Sequence, residues 1–161
     1  MTTSIEESRF WVHIVSLDHV RQSVAGAFIQ SSQGEKDRLA ALSRRDYVVF
    51  YSPRTKFRKG KPLQEFSALG MVEDGEPYRV QGGQGDLWQC HMTYLDAQPV
   101  SLQSLVDDLA FIPDKERWEL PYSRGLFEIE QGDFLNIARA MGVMSELALQ
   151  SEERLLETDP S

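Results

Sequence analysis

The sequence lacks several features that mark specialised classes of protein. It has one cysteine, Cys90, in 161 residues, so it cannot form an internal disulfide. No apolar run approaches the roughly 20 residues that a membrane-spanning helix needs. The polar and acidic start, MTTSIEESRF, lacks the basic and apolar parts of a signal peptide. We therefore expect a cytoplasmic protein without a membrane partner.

The motifs of common catalytic sites are also missing. The sequence contains no Walker-type GxxxxGK, no HExxH, no GxSxG and no CxxC, and the glycines of GGQG at 82–85 predict a loop. The histidines are scattered, and His13 and His91 lie in predicted strands where a core or sheet-face position is expected. Cys90 also lies in a predicted strand, and we interpret it as a core residue rather than a nucleophile. We predict no metal, no cofactor and no catalytic residue.

Charge is distributed unevenly along the chain. The net charge of −8, from 25 acidic and 17 basic residues, argues against a general nucleic-acid coat protein. Residues 44–61 nevertheless carry seven basic residues against one acid, and the last sixteen residues carry five acids against one base. Such asymmetry allows a local anion site on an acidic body, whereas the alternative is a solvated basic loop.

Hydrophobic periodicity predicts a mixture of strands and helices. Strands are predicted over 9–15, 44–52, 63–73, 78–81, 86–96 and 126–130, and helices over 19–26, 35–42, 101–111, 131–142 and the start of the tail. Residues 27–34 are predicted as a loop, and Pro53 is predicted to end the second strand because it cannot continue a central ladder. Regular alternation of strand and helix is missing, which disfavours a doubly wound parallel sheet. We expect one α+β domain over residues 1–161, with a small, curved, mostly antiparallel sheet or barrel and helices packed around it.

Six stretches, taken in order, resemble the small bacterial proteins of the EVE domain family, also known as UPF0310 proteins. They are FWVHIVSLDHV at 10–20, GAFIQSSQG at 26–34, DYVVFYSP at 46–53, PLQEFSALGMV at 62–72, LAFIPDKERW at 109–118 and RGLFEIEQGDFLNIARAM at 124–141. The resemblance covers about residues 9–143 and leaves an acidic tail over 144–161. The chain departs from the family at Gln33, where a histidine is frequent, and after Trp118, where a glycine–aromatic pair is usual.

The resemblance implies a PUA-like fold, a small and strongly bent β-barrel with peripheral helices. It also implies kinship with YTH domains, which hold a methylated adenine in an aromatic cage. By that analogy the expected partner is DNA or RNA, and the expected function is non-catalytic recognition of a modified base.

A reader of one base needs a stacking slot, polar groups for the base edge and cations for the flanking phosphates. At the matching family positions, Trp11 and Tyr51 are the candidate slot walls, and Trp88 is a weaker candidate. The base-edge candidates are Ser16, Gln30 and Ser52, with Gly70 allowing close backbone approach. The phosphate candidates are Arg54, Lys56, Arg58 and Arg124. The plain alternatives are a core tryptophan, a helix cap at Ser16 and a strand end at residues 51–53.

Two other functions remain open at the level of sequence. One is an enzyme that acts on a nucleotide or a modified base through the same pocket, although no nucleophile or metal cluster is evident. The other is a small-molecule or protein adaptor whose acidic tail recruits a partner.

Overall fold

The computed structural model describes residues 8–31, 39–82, 85–116, 120 and 124–157. Its strands are β1 Phe10–Ile14, β2 Phe28–Ser31, β3 Tyr47–Lys56, β4 Lys59–Val72, β5 Tyr78–Gly82, β6 Gly85–Tyr94, β7 Val100–Ser101 and β8 Leu126–Ile129. Its helices are α1 Leu17–Gly26, a 3-10 helix Gln103–Asp108, α2 Gln131–Ala140 and α3 Met144–Glu157.

The strands form one sheet in the order β2-β6-β4-β3-β1-β8, with β5 paired to β6 and β7 paired to β4. The β1–β3 pair is parallel, and the other pairs are antiparallel. The path ends at β2 and β8, so within the described residues the sheet is a curled half-barrel rather than a closed barrel. The predicted α+β class, with a bent, mostly antiparallel sheet and peripheral helices, is confirmed.

Strand β4 is the bent element of the sheet. Its pairing with β3 shifts register at three places, and at each one β4 contributes an extra residue. Gln64 (φ +53°) and Gly60 (φ +81°) adopt left-handed conformations at two of these irregularities. Such bulges kink a strand and increase its twist. The β3–β4 hairpin therefore bends as it extends away from the sheet.

The sheet separates two hydrophobic cores. The first lies under α2, α3 and the 3-10 helix, and its centre is a cluster of aromatic rings in which Phe10 and Phe134 have centroids 4.6 Å apart. The second core includes Val20 of α1, Ile29 of β2 and Phe50 of β3. Alternate residues of β1 and β3 point into different cores, as expected for strands buried on both faces.

Several elements differ from the sequence-based prediction. Residues 28–31, predicted as a loop, form β2, which is stabilised by pairing with β6 about sixty residues later. Strand β3 continues past Pro53 because a register shift between Ser52 and Arg54 removes the need for a ladder hydrogen bond there. The predicted helix 101–111 is a shorter 3-10 helix, although the Ser101 hydroxyl does accept a capping bond from the Ser104 amide at 3.2 Å.

Candidate functional site

The two predicted slot walls do not face each other. Trp11 is 7% exposed and packs in the second core, whereas Tyr51 is 1% exposed and packs in the first. The parallel register explains the separation, because it pairs Trp11 with Val48 and Ile14 with Tyr51. Residues three apart in a strand point to opposite faces. The prediction of one aromatic slot between Trp11 and Tyr51 is therefore corrected.

Trp11 has a structural partner for its polar atom. Its indole nitrogen donates to Asp46 Oδ2 at 3.1 Å, and the other carboxylate oxygen of Asp46 accepts from the backbone amide of Arg9 at 3.0 Å. Asp46 Oδ2 also accepts from the Ser43 amide at 2.9 Å. The buried carboxylate thus joins the start of β1 to the turn before β3. Trp88, the weaker cage candidate, is half-buried and packs against the same core.

The two predicted serines are buried and already hydrogen-bonded. Ser16 donates to Asp18 Oδ1 at 2.5 Å beside the start of α1. The Ser52 and Ser67 hydroxyls are 2.8 Å apart, and Ser67 donates to the Phe50 carbonyl at 3.3 Å, which leaves Ser52 as the donor to Ser67. Ser67 is the half-buried member of this pair. Ser67, rather than the predicted Ser52, is therefore the more accessible of the two serines.

Gly70 is packed against other residues of the protein and does not face open space. A Cβ added there would lie 2.9 Å from the Tyr94 ring and 3.1 Å from the Thr93 carbonyl oxygen. Gly70 therefore accommodates the neighbouring strand β6. Gln30 lies on β2, the strand at one end of the sheet. Its side-chain oxygen accepts from the Gln89 side-chain amide at 2.8 Å. Neither residue is brought next to Ser52.

The predicted phosphate residues Arg54, Lys56 and Arg58 lie together at the end of the β3–β4 hairpin. We call residues 54–61 the basic arm; it carries five cations and no acid. Its shape is held by two bonds across the hairpin, from Arg54 to the Gly60 carbonyl at 2.9 Å and from the Lys61 amide to Thr55 Oγ1 at 3.0 Å. Lys56 and Lys59 are cross-strand partners and are exposed. The arm therefore projects concentrated positive charge from a body that is otherwise acidic.

Arg124 belongs to a different part of the sheet from the basic arm. It precedes β8 and lies near the C-terminal end of β1. The Ile14 amide donates to the Gly125 carbonyl at 2.8 Å, and the Val15 amide donates to the Tyr51 carbonyl at 3.0 Å. These bonds place the start of β8 and the middle of β3 on either side of the end of β1. The Arg124 guanidinium is exposed and stacks over the Phe127 ring, 4.0 Å from its centroid.

A pocket opens between α1 and β4, close to Ser52. We call it the α1–β4 pocket; its volume is about 390 Å³, within the usual size range of small-molecule sites. It is lined by Leu17, Val20, Arg21, Val24, Ala25, Glu65, Ser67 and Pro99. Aliphatic groups predominate, with the Ser67 hydroxyl and one side chain of each charge as polar contacts. Sequence reasoning missed this lining, because helix and strand residues far apart in the chain meet there.

A second cavity, of about 430 Å³, lies between the segment after the 3-10 helix, β8 and α2. Its acidic lining includes Glu128, Glu130 and Asp133. The Asp133 carboxylate accepts from the backbone amides of Ala110 and Phe111 at 2.8 and 3.1 Å, which ties α2 to the segment after the 3-10 helix. A cavity with this charge disfavours a phosphate ligand.

Burial shifts the pKa values of several titratable side chains in the part of the chain described. Cys90 is fully buried, and burial together with Asp74 raises the pKa of its thiol to about 12. The thiol is therefore protonated near neutral pH and is a poor nucleophile. Burial lowers the pKa of His19, with the Asp18 carboxylate opposing the shift. No three histidine, cysteine, aspartate or glutamate side chains among the described residues are placed to bind one metal ion.

No helix in the described ranges is both long enough and apolar enough to cross a bilayer. Several sequence features fall partly or wholly outside the described residues. They are Gln33, where the chain departs from the family pattern, the start of the predicted helix 35–42, the middle of GGQG at 82–85, and the segment 118–122 except Leu120.

The fold is that of the YTH-like and PUA-like α+β proteins. The structure resembles that of the YTH domain-containing protein mmi1 in complex with RNA, with a TM-score of 0.57 at 7% identity over 88% of this chain and 87% of that one. It also resembles a hypothetical protein from Leishmania major, with a TM-score of 0.53 at 10% identity over 88% of this chain and 99% of that one. At these identities the likeness concerns the fold.

The chain belongs to the UPF0310 protein family. It is 41% identical over 132 residues to a UPF0310 protein of Mycolicibacterium vanbaalenii, covering 81% of this chain and 91% of the relative. It is 33% identical over 137 residues to the UPF0310 protein YdcG of Bacillus subtilis, covering 84% of this chain and 94% of the relative. A scan against protein-family models gave no match. The family resemblance predicted from the six sequence stretches is confirmed.

Proposed function

We propose that this protein is a non-catalytic module that binds DNA or RNA and recognises a modified base. The observation that carries the proposal is the basic arm, which extends along the hairpin from the edge of the α1–β4 pocket. Glu65 and Ser67 line the pocket, and β4 also contains part of the basic arm. Lys61 of the arm is only four residues before Glu65. One surface thus offers a recess for a base and cations for its phosphates.

The dimensions of this surface fit a short nucleic-acid segment. At about 3.3 Å per residue of extended strand, Lys61 lies at most on the order of 13 Å along β4 from Glu65, because the strand bends at Gln64. A stacked strand rises about 3.4 Å per nucleotide, so the distance spans roughly four nucleotides. Phosphates can therefore reach the arm while one base occupies the pocket.

The pocket offers polar groups of the kind that distinguish one base from another. The Ser67 hydroxyl keeps one acceptor lone pair, because its proton is directed to the Phe50 carbonyl and Ser52 donates to it. Glu65 can accept from a base amino group, and Arg21 can donate to a carbonyl or ring nitrogen. The aliphatic side chains of α1 and the Pro99 ring supply the apolar surface that an added methyl group would contact. The likeness to the fold of mmi1, whose structure contains RNA, adds support.

The test is a binding screen of the full chain against matched oligonucleotides, DNA and RNA, with and without single base modifications. We expect salt-dependent binding and a preference for one modification, with the oligonucleotide recovered unchanged when its mass is measured after prolonged incubation. Loss of mass or release of a base would show an enzyme instead. An absence of binding to every oligonucleotide at low salt would contradict the proposal.

The contribution of the basic arm is tested with the double variant Lys56→Gln/Lys61→Gln. These lysines are chosen because Arg54 also braces the hairpin. Loss of two phosphate contacts should weaken binding to all sequences alike and flatten the slope of log K against log salt by about 1.4 for single strands. The matched control, Arg44→Gln/Arg139→Gln, removes two exposed positive charges away from the arm and should leave the slope unchanged.

A further inference from the structure

An exposed aromatic ring lies at the tip of the basic arm. Phe57 and Arg58 are the two residues that connect the paired Lys56 and Lys59. The Phe57 side chain is 54% exposed, although the residue is large and apolar. The guanidinium of Arg58 lies over its ring, 4.9 Å from the centroid. Most large apolar side chains in this protein are buried, so a phenylalanine at this position needs a reason.

The tip has a backbone conformation that few residues adopt. Gly60 has φ +81°, and a Cβ there would lie 2.3 Å from Thr55 Oγ1, so the turn needs glycine. Arg58 itself has φ +57°, an unfavourable conformation for a long side chain without a local polar group. Two hydrogen bonds join the strands on either side of the turn, from Arg54 to the Gly60 carbonyl and from the Lys61 amide to Thr55 Oγ1. The turn places Phe57 and Arg58 next to each other at the end of the hairpin, with the Arg58 guanidinium over the ring.

We infer that Phe57, with Arg58 stacked over it, is a platform on which an unpaired nucleobase stacks while the surrounding lysines hold its phosphates. This inference rests on the proposed function and adds that the partner is single-stranded at the tip. Aromatic rings and arginine planes within a cationic surface are the usual way in which proteins hold unpaired bases. In a duplex both faces of an internal base are covered by its neighbours, so the ring would have nothing to stack on.

A lipid surface is the other partner that attracts cations and an apolar tip. Membrane-surface segments present several apolar side chains on one face. Within the described residues, the exposed large apolar side chains besides Phe57 are Val24, Met144 and Leu149, and none of these belongs to the hairpin. One ring among five cations therefore favours a nucleic acid.

The experiment compares Phe57→Ala, Phe57→Leu and Phe57→Tyr with the native chain on a single-stranded oligonucleotide and on the duplex of the same sequence. The Ala variant should bind the single strand about 5- to 150-fold more weakly, the change that corresponds to stacking one base at about 1–3 kcal/mol. Tyr should restore binding and Leu should not, since only a ring has a stacking face. Duplex affinity should change less than twofold, and the salt slope should be unchanged because no charge is removed.

The control is Leu149→Ala, which removes another exposed apolar side chain, 58% exposed, from α3 rather than from the hairpin. Circular dichroism checks that each variant is folded, and vesicles of anionic lipid test the membrane alternative. Equal weakening on single strand and duplex, full binding by the Ala variant, or vesicle binding that depends on Phe57 would each overturn the inference while the native chain still binds nucleic acid. Failure of the native chain to bind any oligonucleotide would instead remove the proposed function itself.

Discussion

The buried side chain of Asp46 connects the start of β1 to the turn before β3. Its carboxylate is 3% exposed and accepts from Trp11, Ser43 and the backbone of Arg9, and it is within 3.5 Å of the Arg9 guanidinium. Buried carboxylates are tolerated only when their oxygens are satisfied in this way. Trp11 is therefore held in the second core by its indole hydrogen bond, with the Arg9 guanidinium over its ring.

We predict that Asp46→Asn destabilises the protein. An amide replaces one acceptor oxygen by an NH₂ group, which then faces a donor, so at least one buried N–H loses its partner. Leaving a buried donor unsatisfied costs about 1–3 kcal/mol, which should appear as a lower free energy of unfolding in urea. Asp107→Asn, which changes an exposed carboxylate in the 3-10 helix, is the control. Equal stability of the two variants would show that the Asp46 bonds contribute little.

Some residues of the candidate site can be predicted from the local sequence, and others cannot. The cations of the basic arm are evident from composition alone, and Phe57 between Lys56 and Arg58 is a visible signal of an aromatic among cations. The faces on which Trp11 and Tyr51 lie depend on the register between β1 and β3, which no local pattern specifies. Ser67 was missed because its contact with Ser52 depends on the irregular pairing of β3 with β4.

At the scale of elements, the bent strand β4 carries the site. Its irregularities allow one strand to contribute to both cores, line the α1–β4 pocket and continue into the basic arm. Gln64 sits at one of these bends with φ +53°, and its carbonyl accepts from the Leu102 amide at 2.9 Å. The bend is thus braced by the segment that follows β7.

We predict that the backbone at Gln64 is sensitive to side-chain shape although the side chain is exposed. A β-branched residue is poorly accommodated at positive φ, so Gln64→Val should lower the free energy of unfolding. Gln64→Gly removes the left-handed penalty of about 1–2 kcal/mol and should be more stable than the Val variant by roughly that amount. Thermal or urea unfolding measures the difference.

Gln98→Val is the matched control, because Gln98 is also exposed and its φ is not positive. A Val variant at position 64 that is as stable as the Gln98 variant would indicate that the bend relaxes without cost.

The element-level prediction failed where short segments depend on distant partners. Strand β2 has only four residues and follows a glycine at the end of α1, so its local sequence favours a loop. Pairing with β6 supplies what local propensity lacks, and tertiary context of this kind commonly overrides weak strand signals. The longer β1, β3, β4 and β6 were predicted because their apolar and β-branched runs are unambiguous.

At the scale of the whole molecule, the acidic tail is partly integrated into the fold. Leu147 of α3 is 3% exposed within the first core, and the Tyr47 hydroxyl donates to Gln150 at 2.8 Å. The Asp96 amide donates to the Glu146 carboxylate at 3.1 Å. The start of α3 therefore packs on the domain although the resemblance by sequence ends near residue 143.

We predict that Leu147→Ala destabilises the whole domain by about 2–5 kcal/mol, as expected for a truncated core side chain. Leu149→Ala, two residues away and 58% exposed, should change stability by less than about 0.5 kcal/mol. Urea unfolding followed by tryptophan fluorescence measures both. Equal stability of the two variants would mean that α3 is separable from the domain.

The position of β1 between β3 and β8 in the sheet has a consequence for how the chain folds during synthesis. β1 occupies residues 10–14, but its two neighbours in the sheet are supplied by residues 47–51 and 126–129. During synthesis from the N-terminus, the first strand emerges from the ribosome long before its last neighbour exists. Its apolar residues and one unpaired edge must stay shielded until nearly the entire domain has been translated, and such late-closing edges are vulnerable to aggregation. We therefore expect nascent chains that stop before residue 126 to depend on chaperones.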